Sequence, residues 1–200
     1  MQGTSGTAAL KTLRTNVIGI GLRPKPQIDY KILGIDPEVA KEIKYKIESE
    51  WLLWSETTNC DASRQHDFNR LQQLAYLSKI MNGDTFVTMP FKDRGSNYPY
   101  NLTVQLIEAD RITNPLLSFD SDIVEGVEMK EGEVVAYHIA SKKNGVYDTQ
   151  RVEAFGKETG ERMVLHLFTA ERIGQRRGLP LLSQVIEQIQ QLGRYTKAEI

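Results

Sequence analysis

Two helical patterns stand next to each other in the first half of this chain, and the residues after them mostly alternate like strand. Across residues 36 to 56, Val39, Ile43, Ile47, Trp51 and Trp54 recur every three or four positions and draw one apolar stripe. Asp36 suits the N-cap, Pro37 the first helical position and Glu38 the positive end of the helix dipole. Lys41, Lys44, Glu48 and Glu50 lie mostly off the stripe. A second helix is predicted over 66 to 81, with Phe68, Leu71, Leu74, Ala75 and Leu77 on its apolar side. Asn82-Gly83 stops it, because glycine takes the left-handed conformation cheaply. The segment 57 to 65 between the two helices reads as a polar connector.

Strand signals then dominate. TFVTMPF at 85 to 91, YNLTVQLIE at 100 to 108, IVEGVEM at 123 to 129, VVAYHIA at 134 to 140 and RMVLHLF at 162 to 168 are short, rich in β-formers and bounded by turns. Residues 130 to 133, KEGE, read as a hairpin connection, 113 to 122 as a polar loop, and 141 to 161 as a mobile loop of mixed charge. At the start, 5 to 16 carry a weak helical signal, and Val17, Ile18 and Ile20 suggest a strand ended by Pro24 and Pro26. At the end, a last helix is predicted from Leu179-Pro180 to residue 200. Its stripe holds Leu182, Val185, Ile186, Ile189 and Leu192, and it has no stop signal. That unfinished pattern reads as a piece of a longer protein.

The order of elements implies an α+β fold: helices flanking a mainly antiparallel β block, with no βαβ alternation. The chain divides into an N-terminal part, 1–62, and a helix, β block and final helix, 63–200. Two hundred residues suffice for a core without staples. The formal net charge of -1 offers no global positive field for nucleic acid or membrane, so any DNA contact must be local. Cys60, the single cysteine, has no partner for an internal disulfide or a zinc cluster. No apolar run reaches the length of a membrane-spanning helix, and the N-terminus lacks the order of a signal peptide.

Signals for catalysis are weak. There is no phosphate-cradling Gly-Lys-Ser/Thr loop, and Gly19-Ile20-Gly21 is only a fragment of a dinucleotide fingerprint. His66, His138 and His166 are widely spaced, and no serine or cysteine sits in a nucleophile elbow. Glu128-Met129-Lys130 has the Glu-x-Lys form of a metal-dependent nuclease, with Asp110, Asp120 or Asp122 as a second carboxylate. A solvated hairpin end explains the same residues more simply. Trp51 and Trp54 could stack on bases, but as members of a helical stripe they are expected to pack in the core, as are Leu182, Val185, Ile186 and Ile189. No catalytic residue, metal ligand or cofactor site is assigned.

The densest functional signal is ERIGQRRGLP at 171 to 180. Arg172, Arg176 and Arg177 next to flexible glycines could grip phosphates or carboxylates bidentately, or form an exposed basic loop.

Several segments in order resemble the lambda-type family of tailed-phage portal proteins. They are NVIGIGLRPKP, then Trp51 and Trp54 with Cys60-Asp61, and then the helix ending at Gly83-Asp84. The hairpin GVEMKEGEVVAYHI is next, and last come Gly174-Gln175-Arg176-Arg177-Gly178 and the helix pattern after it. Ile173 departs from the proline common in the family. The family extends beyond both ends of this chain, so the resemblance implies a central piece. It implies a non-enzymatic, structural subunit of an oligomeric ring, typically of twelve copies, at one capsid vertex of the virion, assembled in the bacterial host cytoplasm. Double-stranded DNA passes through the ring; terminase, head-completion and capsid or scaffold proteins are its partners; no membrane or cofactor is involved. On this reading residues 1–62 are wing-like and 63–200 stem- or clip-like. Arg172, Gln175, Arg176, Arg177 and Gly178 then form a loop facing a neighbouring subunit or DNA. The alternatives from other classes are a metal-dependent nuclease through Glu128 and a nucleic-acid-binding module through the arginine loop.

Overall fold

A computed structural model describes residues 4–195 apart from 117, 119, 144–145, 184, 189–190 and 192–193. Among the described residues the named helices and strands run α1 (Thr4–Ile18), α2 (Tyr30–Leu33), α3 (Pro37–Ser55), α4 (Phe68–Asn82), β1 (Asp84–Thr88), β2 (Gln105–Ile107), β3 (Ile123–Val124), β4 (Val127–Lys130), β5 (Glu133–Lys143), β6 (Val146–Glu153) and β7 (Val164–Phe168). Every named strand pairing is antiparallel, in one sheet ordered β2-β1-β7 and another ordered β3-β4-β5-β6. The class is α+β.

Strand β1 is the spine. Successive strand residues face opposite sides, and β1 uses both. Phe86 enters a core between the sheets with Ile107, Ile112, Val127, Tyr137, Ile139, Ala154 and Val164. Its neighbour Val87 enters a second core beneath the helices with Trp54, Cys60, Leu71 and Val104. Trp51, Trp54 and Phe68 interlock there, with ring centroids 4.9 to 5.4 Å apart. The indole Nε1 of Trp54 donates to the Leu102 carbonyl at 2.9 Å. A single helical turn, three residues, separates the two tryptophans, which lets one end of α3 seat both.

The rest of α3 behaves differently. Asp36 caps it as the sequence indicates, accepting from Glu38 N–H at 2.8 Å. Yet Val39, Ile43 and Ile47 are about 40% exposed, and only Ala40, Trp54 and Ser55 of this helix are buried. The stripe predicted from its sequence is anchored only at its tryptophan end.

Four predicted segments are corrected. Val17 and Ile18 are not strand; they finish α1, where Ile18 is buried against the helical layer. The chain after them is held by side chains instead of a sheet. Gln72 both donates to the Leu22 carbonyl and accepts from Leu22 N–H, and Gln73 donates to the Gly19 carbonyl. The connector 57–65 is not a solvated linker, because Cys60 and Asp61 are buried. Asp61 accepts from the backbone N–H groups of Ser63, Gln65 and His66 and from the Ser63 hydroxyl, at 2.7 to 3.1 Å, so its loop is built around one carboxylate. Burial alone would raise the Asp61 pKa, but these four donors hold it below the usual carboxylate range.

The loop predicted at 141–161 is largely strand: β5 runs on to Lys143 and pairs with β6 through eight registered positions, from Ala136↔Glu153 to Lys143↔Val146. Its mixed charge is that of a strand pair with a solvated face, and glycine content alone did not reveal the pairing. The helix predicted from Leu179 is also not borne out. Residues 181–183 and 185 form turns, and among the described residues of this segment helical ones occur at 186–188, 191 and 194–195. Competing hydrogen bonds explain the delay. Leu181 N–H donates to the Ile80 carbonyl of α4 at 3.0 Å, and the Ser183 hydroxyl caps the Pro180 carbonyl at 2.7 Å. Leu182 lies beside α1, where a Cβ on Gly6 would come within 3.2 Å of its Cδ1. Val185 and Ile186 are roughly half exposed, and Ile189 lies outside the described residues.

Candidate functional site

Gly178 brings the arginine loop onto the start of β1. A Cβ on Gly178 would lie 1.9 Å from the Gly83 carbonyl oxygen, far inside van der Waals contact. Gly83 itself has φ +94, which disfavours any side chain there. Two glycines therefore let two backbones touch, and Arg177 is delivered to Asp84.

All five guanidinium N–H groups of Arg177 are used inside the chain. Nε donates to Asp84 Oδ2 at 2.5 Å and Nη2 to Oδ1 at 3.1 Å, a bidentate pair. Nη2 also reaches the Ala109 carbonyl, and Nη1 the carbonyls of Ile112 and Glu125, at 2.8 to 3.0 Å. The guanidinium carbon lies 5.3 Å from the Phe86 ring centroid. Asp84 additionally accepts from Gly178 N–H and faces His166 Nε2, both at 3.2 Å. His166 is stacked between Phe86 and Phe168, with centroids 4.1 and 4.3 Å away.

The electrostatics follow from this enclosure. Burial would push the Asp84 carboxyl up, but hydrogen bonds from His166 and Arg177 and the Arg177 charge hold it below the usual range. Burial pushes the His166 pKa down and outweighs the pull of Asp84, so the neutral ring donates its Nε2–H to the carboxylate. The cluster is charge-balanced with one carboxylate and one guanidinium, and ties three distant parts of the chain together.

A second buried carboxylate has the same partner types. Glu128 receives Arg151 at both oxygens, 2.7 and 3.0 Å, and faces His138 Nε2 at 3.0 Å. The hydrogen bond from Arg151 overrides desolvation and brings its pKa down to about 2. Glu128 is the residue that the nuclease alternative needs as a metal ligand. Its oxygens are engaged by an arginine and a histidine, and among the described residues no group of three or more His, Cys, Asp or Glu could hold a metal ion. Lys130 lies 3.8 Å from Glu128 with its side chain largely exposed. Cys60 donates to the Thr57 carbonyl, and burial together with Asp61 and Asp67 pushes its thiol up to about 11, far from a nucleophile's range.

The remaining loop residues have separate fates. Gln175 closes the loop on itself, accepting from Glu171 N–H at 2.8 Å and donating to the Arg177 carbonyl at 2.7 Å. Arg176 donates to the Asp122 carbonyl at 2.8 Å and keeps other donors available, and Arg172 is exposed. Sequence spacing had grouped the three arginines together. The fold divides them: Arg177 is internal, Arg176 is half-buried against the Asp122 carbonyl, and Arg172 is exposed. Asp84 was missed as a site residue; the Gly83-Asp84 step was the available signal, read only as the end of a helix.

Two antiparallel sheets share one core, a helical layer packs on a second, and a glycine-guided arginine loop is tied to β1 between them. The family model described as "Phage portal protein, lambda family" matches residues 4–200, and the chain belongs to that family. It is 23% identical over 190 residues to portal protein B of Escherichia phage lambda, covering 92% of this chain and 36% of that protein. The chain thus spans about a third of the length of this curated relative. Among solved structures, a chain from the virion of a native gene transfer agent particle aligns with 95% of this chain and 49% of its own length, at 12% identity and a TM-score of 0.46.

Proposed function

We propose that this chain is part of a structural portal subunit that forms a ring, typically of twelve copies, at one vertex of a phage capsid. Double-stranded DNA passes through the ring during packaging and ejection. Terminase, head-completion proteins and capsid or scaffold proteins dock to it, and assembly takes place in the bacterial host cytoplasm. Residues 1–62 form a wing-like part and 63–200 a stem- or clip-like part. The observation that carries this reading is the family match over residues 4–200.

Two physical features support it. A channel that DNA slides through must not hold it, since each neutralised phosphate adds salt-dependent affinity; a net charge of -1 suits that task. Ring contacts are heterologous, joining different faces of successive copies, and the exposed Arg172 with the spare donors of the half-buried Arg176 suits a contact of that kind with a neighbour's carboxylates or with DNA. Imaging of full-length particles tests the proposal. Rings with a central opening wide enough for duplex DNA are expected, and monomers at every concentration would overturn it.

A further inference from the structure

A sheet edge without a neighbour is a template for another chain, and proteins guard such edges with charge, proline, bulges or short length. Among the described residues, three of the four sheet edges are guarded. β3 is two residues long. β2 is three, and Val104 just before it donates to the Cys60 carbonyl at 2.7 Å and accepts from Ala62 N–H at 2.9 Å. β6 carries Asp148, Arg151 and Glu153. β7 is the exception. Its sequence, VLHLF, has no acid, lysine, arginine or proline, and it pairs with β1 alone. The chain after β6 pairs only with residues 161–163, through Gly156 N–H to the Glu161 carbonyl and Met163 N–H to the Ala154 carbonyl. Among the described residues no strand pairs with the other edge of Val164–Phe168.

β7 also lines a groove of about 790 Å³, a size that suits a short peptide or another small ligand. Leu71, Ala75 and Lys79 line it at four-residue intervals, which is one face of α4. Leu165 packs on the core beneath the helices, whereas Val164 and His166 turn to the core between the sheets. Alternation puts Leu167 on the groove side with Leu165. A strand laid along β7 therefore sets every second side chain towards this groove. The charged residues on the lining are Arg23 and Lys79, with no acid among them, and burial keeps His166 neutral. Arg23 is paired with Glu56 at 3.2 Å. Lys79 is half-buried and has no ion pair among the described residues.

We propose that β7 and this groove bind an extended peptide segment of a partner protein by strand addition, with apolar side chains at alternate positions and a carboxylate that reaches Lys79. Each requirement excludes a different occupant. The open main-chain edge of β7 calls for a peptide backbone, which a fatty acid lacks. The apolar lining calls for apolar residues at every second position. Lys79 calls for a carboxylate, which the VLHLF edge of a second copy does not bring. Binding does not require ring formation, so a chain that stays monomeric keeps the site.

The test is titration of the 200-residue chain with the synthetic heptapeptide SLTVTLE, acetylated and amidated, followed by NMR of backbone amides and by hydrogen exchange. Saturable shifts at Leu165, Leu167 and Lys79 and slower exchange across β7 are expected. Affinity should fall about tenfold in Lys79→Gln, the value of one charge-assisted hydrogen bond, and as far when lysine replaces the peptide's glutamate. N-methylating one alternate set of peptide nitrogens should abolish binding, and methylating the other set should weaken it less, because only one edge of the added strand faces β7. Leu167→Lys, which charges the edge at a position already 39% exposed, should also abolish binding while the chain stays folded. Lys157→Ala, which removes a surface charge paired with Glu153, should leave it unchanged. No saturable binding to the folded chain, or binding that survives both N-methylated sets, would overturn strand addition. Equal affinity for the glutamate and lysine peptides would overturn the carboxylate assignment. Tighter binding of dodecanoate than of the peptide would make the groove a lipid site, and concentration-dependent dimers lost in Leu167→Lys would make its occupant a second copy. Either result would overturn the proposal.

Discussion

Two buried carboxylates in this protein each hold one arginine and one histidine, yet they serve different scales of structure. Glu128 binds His138 and Arg151, 10 and 23 residues away, within one antiparallel sheet. Arg151 stays 39% exposed and also binds Glu153. Asp84 binds His166 and Arg177, 82 and 93 residues away, with its side chain 1% exposed. The first cluster decorates a pairing that strand register already enforces. The second adds to the β1–β7 pairing the arginine loop, which no strand pairing holds, so it is the one whose loss the fold absorbs least.

That contrast can be broken experimentally. The largest effect is expected from Asp84→Ala, which strands a buried guanidinium. Breaking one partner of a buried pair costs about 3–5 kcal/mol, and urea unfolding should show that loss or an unfolded chain. Next comes Gly178→Ala, where the new methyl would lie 1.9 Å from the Gly83 oxygen. Forced overpacking costs about 1–3 kcal/mol, and the backbone must part where Arg177 is delivered. A smaller loss, about 1–2 kcal/mol, is expected for Glu128→Gln, which keeps the shape but weakens charge-assisted bonds. A loss for Glu128→Gln equal to that for Asp84→Ala would erase the distinction between the clusters.

Acid should separate the histidine of the Asp84 cluster from the carboxylates of both. A histidine whose folded pKa is depressed binds fewer protons folded than unfolded, so stability falls as pH drops below its ordinary value of 6.5. Loss beginning near pH 6.5 therefore reports His166 and the Asp84 cluster. Glu128 is also depressed, so its contribution is complete above its ordinary 4.5 and is lost as pH falls from there towards about 2, in the same window as the depressed Asp84 and Asp61. Thermal unfolding against pH should show two descending limbs, and His166→Gln should remove only the upper one. The smallest effect on folding belongs to Arg172→Ala with Arg176→Ala, within about 0.5 kcal/mol as for other surface changes. In full-length protein the same pair should impair ring assembly or packaging, and normal rings with normal packaging would remove the loop from the interface.

Local signals in the chain were legible where local rules suffice. Asp36, Pro37 and the tryptophan stripe mark α3, and Asn82-Gly83 marks the end of α4, because caps and periodicity act within a turn or two. The turn at Glu131-Gly132, both with positive φ, was legible for the same reason. Residues 141–161 misled because their strand character comes from pairing, not from composition. Residues 179–185 misled because an apolar helical period does not register that Leu181 N–H is already bound to Ile80.

The arginine loop shows where the boundary lies. Its three guanidiniums, its glycines and the α+β order around it are properties of the sequence, as is membership of the lambda portal family. Which arginine turns inward is not. That was decided when Gly178 met Gly83, two positions far apart in the chain whose missing side chains allow contact. Once there, Arg177 found a carboxylate and three carbonyls already facing it, while Arg176 reached only the Asp122 carbonyl and Arg172 stayed exposed. Long-range contact of this kind depends on the three-dimensional approach of two backbones, and no local spacing encodes it.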